Sequence, residues 1–310
     1  MSSSVMSPLA LSLSLLAFAL TATHGSVVDI CTIKTQPYPV LVQADTDTNE
    51  RFLSFLPATG VQTAVRCEGD FDLNSCQIGS DQQADGCAKE CQCTIPADSP
   101  PPNLLYQRMY ELVRKHCNTR TPEDGEPRVM VIGLGGGALY SSLSGIDCAG
   151  KSLTVDAVEP DDRVVSVAKH FYGLMPSPGG TIHVKTGVDA LRDTNNQVYD
   201  AVIVDCFERD NHVPDQCRNI EFLGLVERSL KPGGIVLQNQ WQPVDEQDDP
   251  DMATQLQQLK SNYGSLFDPK SIAAEPLFSY MASGYVPNVL VGQKKMSGRN
   301  TRHRPMLKGS

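Results

Sequence analysis

From residue 128 onward the apolar positions follow two alternating rhythms. Short apolar runs, "RVMVIGL", "SLTVDAVE", "TIHVKTG", "YDAVIVD" and "GGIVLQNQ", read as buried strands. Between them, "DDRVVSVAKHFYG" and "NIEFLGLVERSL" carry apolar residues at helical spacing. Strand–helix alternation predicts a mostly parallel sheet covered on both faces. A polar helix is expected around 248–263, and β-rich stretches near 271–281 and 286–293 are placed to close the sheet edge antiparallel. Upstream, "YPVLVQAD" and "RFLSFLPATGVQTAV" alternate apolar and polar residues, as hairpin strands do. "NLLYQRMYELVRKH" puts Leu104, Leu105, Met109, Leu112 and Val113 on one side of a helix.

These patterns divide the chain into five parts. The apolar block "PLALSLSLLAFALTA" is short for a membrane span and sits at the extreme N-terminus, so residues 1–25 read as a signal peptide. A β-hairpin region follows over 26–66, then a Cys-rich insertion over 67–102 that ends in a stiff proline spacer. Residues 103–294 form the α/β domain, and 295–310 a basic, patternless tail read as disordered. The expected location is outside the cell or in the secretory lumen.

Composition narrows the partners. With 40% hydrophobic and 20% charged residues the chain has the makings of an ordinary core. A formal net charge of -10 opposes a phosphate-tracking nucleic-acid binder and suits a cationic substrate. Ten cysteines in a secretory setting read as disulfides. The spacing "CAKECQC" invites zinc, but no histidine lies nearby, and no metal is expected. The overall pairing is open, although Cys206 and Cys217 bracket one short loop, and a bond between them is favoured over a free Cys206.

The candidate chemistry gathers where the strands end. Gly133, Gly135, Gly136 and Gly137 follow the first α/β strand, leaving bare backbone at a strand edge where a nucleotide can lie. Glu159 ends the second strand, where an acid can accept from ribose hydroxyls of NAD or an S-adenosyl cofactor alike. Asp189 follows the third strand, either facing an adenine amine or serving the first turn of the next helix. Asp205 ends the fourth strand, and a Pro-Gly-Gly turn leads into the fifth. That order is the one S-adenosylmethionine enzymes follow.

The stretch from about 104 to 293 resembles the spermidine-synthase-like family, which holds aminopropyltransferases and a branch of methyltransferases. The resemblance rests on "YQRM", "VIGLGGGAL", "VDAVEPDDRVVSVAKHFYG", "IHVKTGVDAL", "YDAVIVD" and "LKPGGIVLQNQ". It implies a Rossmann-like, seven-stranded methyltransferase-type sheet with a small N-terminal β-hairpin domain, to which this chain adds the Cys-rich insertion. It also implies that Gly133, Gly135 and Gly137 border the cofactor's amino-acid end, that Glu159 takes the ribose and Asp189 the adenine, and that Asp205 faces the reacting centre. The cofactor implied is S-adenosylmethionine or its decarboxylated form, and the acceptor an amine on a small molecule or a protein; a homodimer is compatible with this.

Within that family "GLGGG" with "DAVE" looks more like the methyltransferase branch. Aminopropyltransferases carry Asp-Ser-x-Asp-Pro after the fourth strand, where this chain has Asp205, Cys206, Phe207, Glu208 and Arg209. Arg108 stands where the family has an acid, and a cation there would oppose a polyamine. Methyl transfer is therefore the first expectation. Aminopropyl transfer is the alternative, as is a secreted, inactive relative that binds a nucleoside or partner. Asp205 is the expected acid/base, supported by Glu208, with His212 as a competing base. Tyr106 and Gln107 are placed to orient the acceptor, and Trp241 and Tyr285 either wall its pocket or belong to the core.

Overall fold

The structure is a computed structural model that describes residues 27–34, 39–57, 61–70, 93–96, 100–121, 124–207, 212–278 and 284–296. The expected signal peptide, Glu208, most of the Cys-rich insertion and all but the first two residues of the basic tail lie outside the described residues.

Four strands form an antiparallel meander at the N-terminus: β1 (Val27–Ile33), β2 (Val40–Asp45), β3 (Glu50–Phe55) and β4 (Thr63–Arg66). Their alternation sends Val40, Val42, Ala44, Leu53 and Val65 inward. Cys67, just past β4, is bonded to Cys93 across most of the insertion, and Cys31 is also disulfide-bonded. Cys93, the one cysteine of "CAKECQC" among the described residues, is thus held in a disulfide.

Helix α1 (Leu104–Cys117) starts where the Asn103 side chain accepts from the Leu105 and Tyr106 N–H groups. Leu105, Met109, Leu112 and Val113 are buried, whereas Leu104 is exposed. The seam passes through Leu105 and its neighbours four and eight residues on, and Leu104 falls just outside it. Cys117, at the end of α1, is bonded to Cys148.

The α/β domain then runs β5 (Arg128–Ile132), α2 (Ala138–Ser144), a small hairpin of β6 (Asp147–Cys148) and β7 (Lys151–Ser152), β8 (Thr154–Glu159) and α3 (Asp162–Phe171). It continues with β9 (Ile182–Val184), α4 (Gly187–Asp193), β10 (Tyr199–Val204), α5 (Ile220–Ser229), β11 (Leu230–Pro243), α6 (Pro250–Leu266), β12 (Ala273–Pro276) and β13 (Tyr285–Gln293). The seven-stranded sheet has the order β12-β13-β11-β10-β5-β8-β9. Strands β5, β8, β9, β10 and β11 are parallel, and β13 is antiparallel to both neighbours. The α/β class, the seven strands and the antiparallel closure are as the pattern predicted. The last strand in sequence, however, inserts between β11 and β12.

Every residue of β10 is buried, which explains the apolar run Ala201, Val202, Ile203 and Val204, and each such Val or Ile contributes about 1.5–3 kcal/mol. One core lies between the sheet, α1–α3 and the N-terminal meander; the other lies beneath α4–α6. Among the described residues no helix is long and apolar enough to cross a membrane. From β5 the chain moves outward to β8 and β9, then returns to β10 on the other side of β5. That reversal opens a crevice outside the carboxyl ends of β5 and β10.

Candidate active site

The crevice floor is main chain. Gly133, the residue after β5, has φ of +95°, and a β-carbon there would come within 2.1 Å of the Asp205 carbonyl oxygen. Only glycine lets the ends of β5 and β10 approach this closely. Asp205 N–H donates to the Ile132 carbonyl at 2.8 Å and Gly133 N–H to that of Val158 at 3.0 Å, so the turn is locked to both neighbouring strands. Above it sits Thr63, from β4. Gly136 N–H donates to Thr63 Oγ1 at 3.0 Å, and a β-carbon at Gly136 would meet Thr63 Cγ2 at 2.6 Å.

Glu159 closes β8 at this edge and is 9% exposed. Its carboxylate accepts from Leu134 N–H at 3.4 Å, Asp161 N–H at 3.2 Å and Gly135 N–H. Burial outweighs these bonds and pushes its pKa up to about 7. Asp205 extends from β10 and is gripped at both oxygens: Asn239 Nδ2 donates to Oδ1 at 2.8 Å, and Tyr106 Oη donates to Oδ2 at 2.7 Å. Burial raises its pKa, and the Asn239 and Tyr106 bonds oppose the rise. Neither acid has a Lys, Arg or His within ion-pair distance among the described residues.

The other expected residues fall elsewhere. Asp189 sits in the first turn of α4, where Thr186 Oγ1 donates to its carboxylate at 2.7 Å and accepts from its N–H at 3.2 Å. Its side chain is 57% exposed, and this reciprocal cap is the contact it makes in this structure. Gln107 lines a cavity of about 340 Å³ beside Val65, Ile95, Pro102 and Ala138, and its Nε2 donates to the Pro102 carbonyl at 3.5 Å. Helix periodicity separates it from Tyr106, since adjacent residues on a helix point in different directions.

His212 Nε2 lies 3.4 Å from Asp249 Oδ2, and its Nδ1 lies 3.3 Å from Gln255 Nε2. Tyr285 Oη donates to the same Asp249 at 3.4 Å, so Tyr285 and His212 share the cap of α6. Trp241 is half-buried on β11. Cys206 and Cys217 are thiols in hydrogen-bond contact and are not disulfide-bonded, which corrects the expected bond. That contact, burial and the adjacent Asp205 and Glu159 push the Cys206 thiol up. Arg108 is also reassigned: its Nε donates to Glu275 at 2.6 Å and its guanidinium pairs with Glu111, so its charge is matched against β12.

Sequence reading missed Asn239 and Thr63. Asn239 is legible in retrospect, because "QNQ" puts three buried polar residues inside an apolar strand, and buried polar groups need partners. Thr63 lies on a different sheet, and no local signal marks it.

A doubly wound sheet with a glycine turn and two carboxylates at its switch point defines a Rossmann-like protein of the nucleoside-cofactor kind. No family model matches the chain. Over 124 residues it is 31% identical to spermidine synthase 2 of Datura stramonium, covering 39% of this chain and 37% of that protein. Over 114 residues it is 26% identical to a polyamine aminopropyltransferase of Vibrio vulnificus (strain CMCP6), covering 36% and 37%. The match spans little more than a third of the length of these curated relatives. In fold, it matches the crystal structure of a probable spermidine synthase from Corynebacterium glutamicum with a TM-score of 0.58 and 14% identity, over 87% of this chain and 83% of that one. A spermidine synthase in complex with the transition-state analogue AdoDATO gives 0.57 and 14%, over 87% and 74%. The chain is spermidine-synthase-like, in sequence over part of its length and in fold over most of it.

Proposed function

We propose that this chain is a transferase that uses an adenosyl sulfonium compound to alkylate an amine, with aminopropyl transfer from decarboxylated S-adenosylmethionine as its reaction. The observation that carries this reading is the pair of carboxylates, Glu159 and Asp205, held at the switch point, among the described residues, by neutral donors alone. A carboxylate in such surroundings gains most from an added cation or hydroxyl donor. An amine acceptor supplies the cation at Asp205, and a ribose supplies the hydroxyls at Glu159.

The cofactor, when bound, supplies a carbon made electrophilic by its sulfonium. The rest falls to the chain. Asp205, fixed by Tyr106 and Asn239, holds the acceptor's ammonium and takes a proton so that the nitrogen becomes a free amine. Its raised pKa makes it a better proton acceptor than an ordinary aspartate. The N–H groups around Glu159 keep that side chain turned toward the crevice.

Aminopropyl transfer is preferred to methyl transfer for two reasons: the curated relatives quoted above are aminopropyltransferases, and the paired Arg108 no longer opposes a polyamine. Methyl transfer is the second reading, favoured by "GLGGG" and by Cys206 and Phe207 where aminopropyltransferases differ. The secretory location stays part of the proposal and is supported by the Cys67–Cys93 and Cys117–Cys148 bonds, which persist in oxidising compartments.

Calorimetry with S-adenosylmethionine, its decarboxylated form, S-adenosylhomocysteine and NAD tests the reading, followed by mass spectrometry of a diamine incubated with each donor. Tightest binding of the decarboxylated form and an aminopropylated diamine are expected. Preferential NAD binding, or no nucleoside binding, overturns it; a methylated amine moves the assignment to the second reading.

A further inference from the structure

The main-chain donors of the glycine turn are nearly all committed within the α/β domain. Gly133 N–H donates to the Val158 carbonyl at 3.0 Å, and Gly137 N–H donates to the Leu134 carbonyl at 2.9 Å. Leu134 N–H and Gly135 N–H both go to the Glu159 carboxylate. That leaves Gly136, and its N–H is taken by a side chain from outside the domain, Thr63 of β4, at 3.0 Å. Thr63 is 2% exposed and fits closely: a β-carbon on Gly135 would meet its Oγ1 at 2.9 Å, and one on Gly136 would meet its Cγ2 at 2.6 Å. The hydroxyl and methyl therefore fill the space over the turn and hold its last donor. A ligand carboxylate in this place needs both room and N–H groups.

We propose that Thr63 is a specificity-determining residue: by covering Gly135 and Gly136 and taking the Gly136 N–H, it selects a cofactor that lacks an α-carboxylate. This rests on the function proposed above. It assigns to the N-terminal sheet a part in choosing the cofactor, beyond covering the α/β core.

The experiment measures the dissociation constants of S-adenosylmethionine and its decarboxylated form, by calorimetry, on wild type, Thr63→Ala and Thr63→Ser. Wild type is expected to prefer the decarboxylated form. Thr63→Ala removes methyl and hydroxyl and should shift the ratio about tenfold toward the carboxylated form, as one charge-assisted hydrogen bond would; Thr63→Ser keeps the hydroxyl and should stay near wild type. An unchanged ratio in a folded Thr63→Ala protein overturns the role of Thr63 alone. Wild type preferring the carboxylated form also overturns it, while leaving a sulfonium-dependent transferase in place. Wild type binding neither overturns this inference and the proposed function together. Amide exchange on wild type needs no variant: the Gly136 N–H should be protected without ligand, and free exchange there would overturn the proposal.

Discussion

The sheet treats its carboxylates differently at its two ends. Toward the amino end of the strands, Asp156 accepts from Arg128 Nε and Nη2 at 2.7 and 2.9 Å and from Tyr199 Oη at 2.9 Å. Its neighbour Asp200 accepts from Lys231 Nζ and Arg128 N–H, each at 2.9 Å, and pairs with Arg120. At the carboxyl end, Glu159 is buried and Asp205 half-buried, and among the described residues they meet only peptide N–H groups, an amide and a phenol. The two ends differ in what balances their acids: charged partners at one, neutral donors at the other. Matched acids are complete and serve the scaffold. Acids held by neutral donors still gain from a cationic or hydroxylic guest, and the crevice lies at their end.

Substitutions can break that contrast, and the largest effect belongs to Asp205. In Asp205→Ala, transfer to an amine should fall about 100- to 10,000-fold, while calorimetric cofactor affinity stays within about threefold. Equal loss of binding would make Asp205 a structural acid like those at the other end. Next is Asp200→Asn, which leaves Arg120 and Lys231 without their shared anion. Urea denaturation should then report a loss of about 3 kcal/mol, with turnover per folded molecule unchanged. If activity falls while stability holds, the division between the two ends fails.

Glu159 gives a subtler signature in pH. Its pKa of about 7, against an ordinary 4.5, means that the folded chain keeps a proton that the unfolded chain releases between those values. Stability from this group is complete below pH 4.5 and is lost as the pH rises through 7, by at most about 3 kcal/mol. Denaturation midpoints at pH 5 and pH 8 should therefore converge in Glu159→Gln relative to wild type. Smallest is Tyr106→Phe, which removes one donor to Asp205. Since that bond lowers the Asp205 pKa, its loss should move the acid limb of the pH–rate profile upward and cut turnover about tenfold. A tenfold loss with an unmoved profile would point to packing only.

How far the sequence reaches varies along the chain. The alternation of β5 to β11 is legible because each segment meets the sheet or a helix with its own periodicity. The antiparallel closure was legible too, but the insertion of β13 between β11 and β12 was not, since strand order depends on non-local pairing. Glu159 and Asp205 stand at strand ends, where topology assigns a side chain to the crevice almost without choice. Asp189 stands three residues past a cap. There local spacing allows a crevice residue and a helix-capping one alike, and the structure shows the cap with Thr186. Arg108 and Gln107 hung on helix rotation, which is set by what α1 packs against.

The apolar rhythm, the glycine turn and the acids at the strand ends determined the architecture and which edge of the sheet carries the candidate site, because these properties are written in local spacing. The tertiary structure alone decided which donors remain free, which charges are matched, that Cys206 and Cys217 touch without bonding, and that Thr63 covers the turn. Each of those joins residues far apart in sequence, and free energy at such contacts depends on distance and burial, which no local pattern encodes.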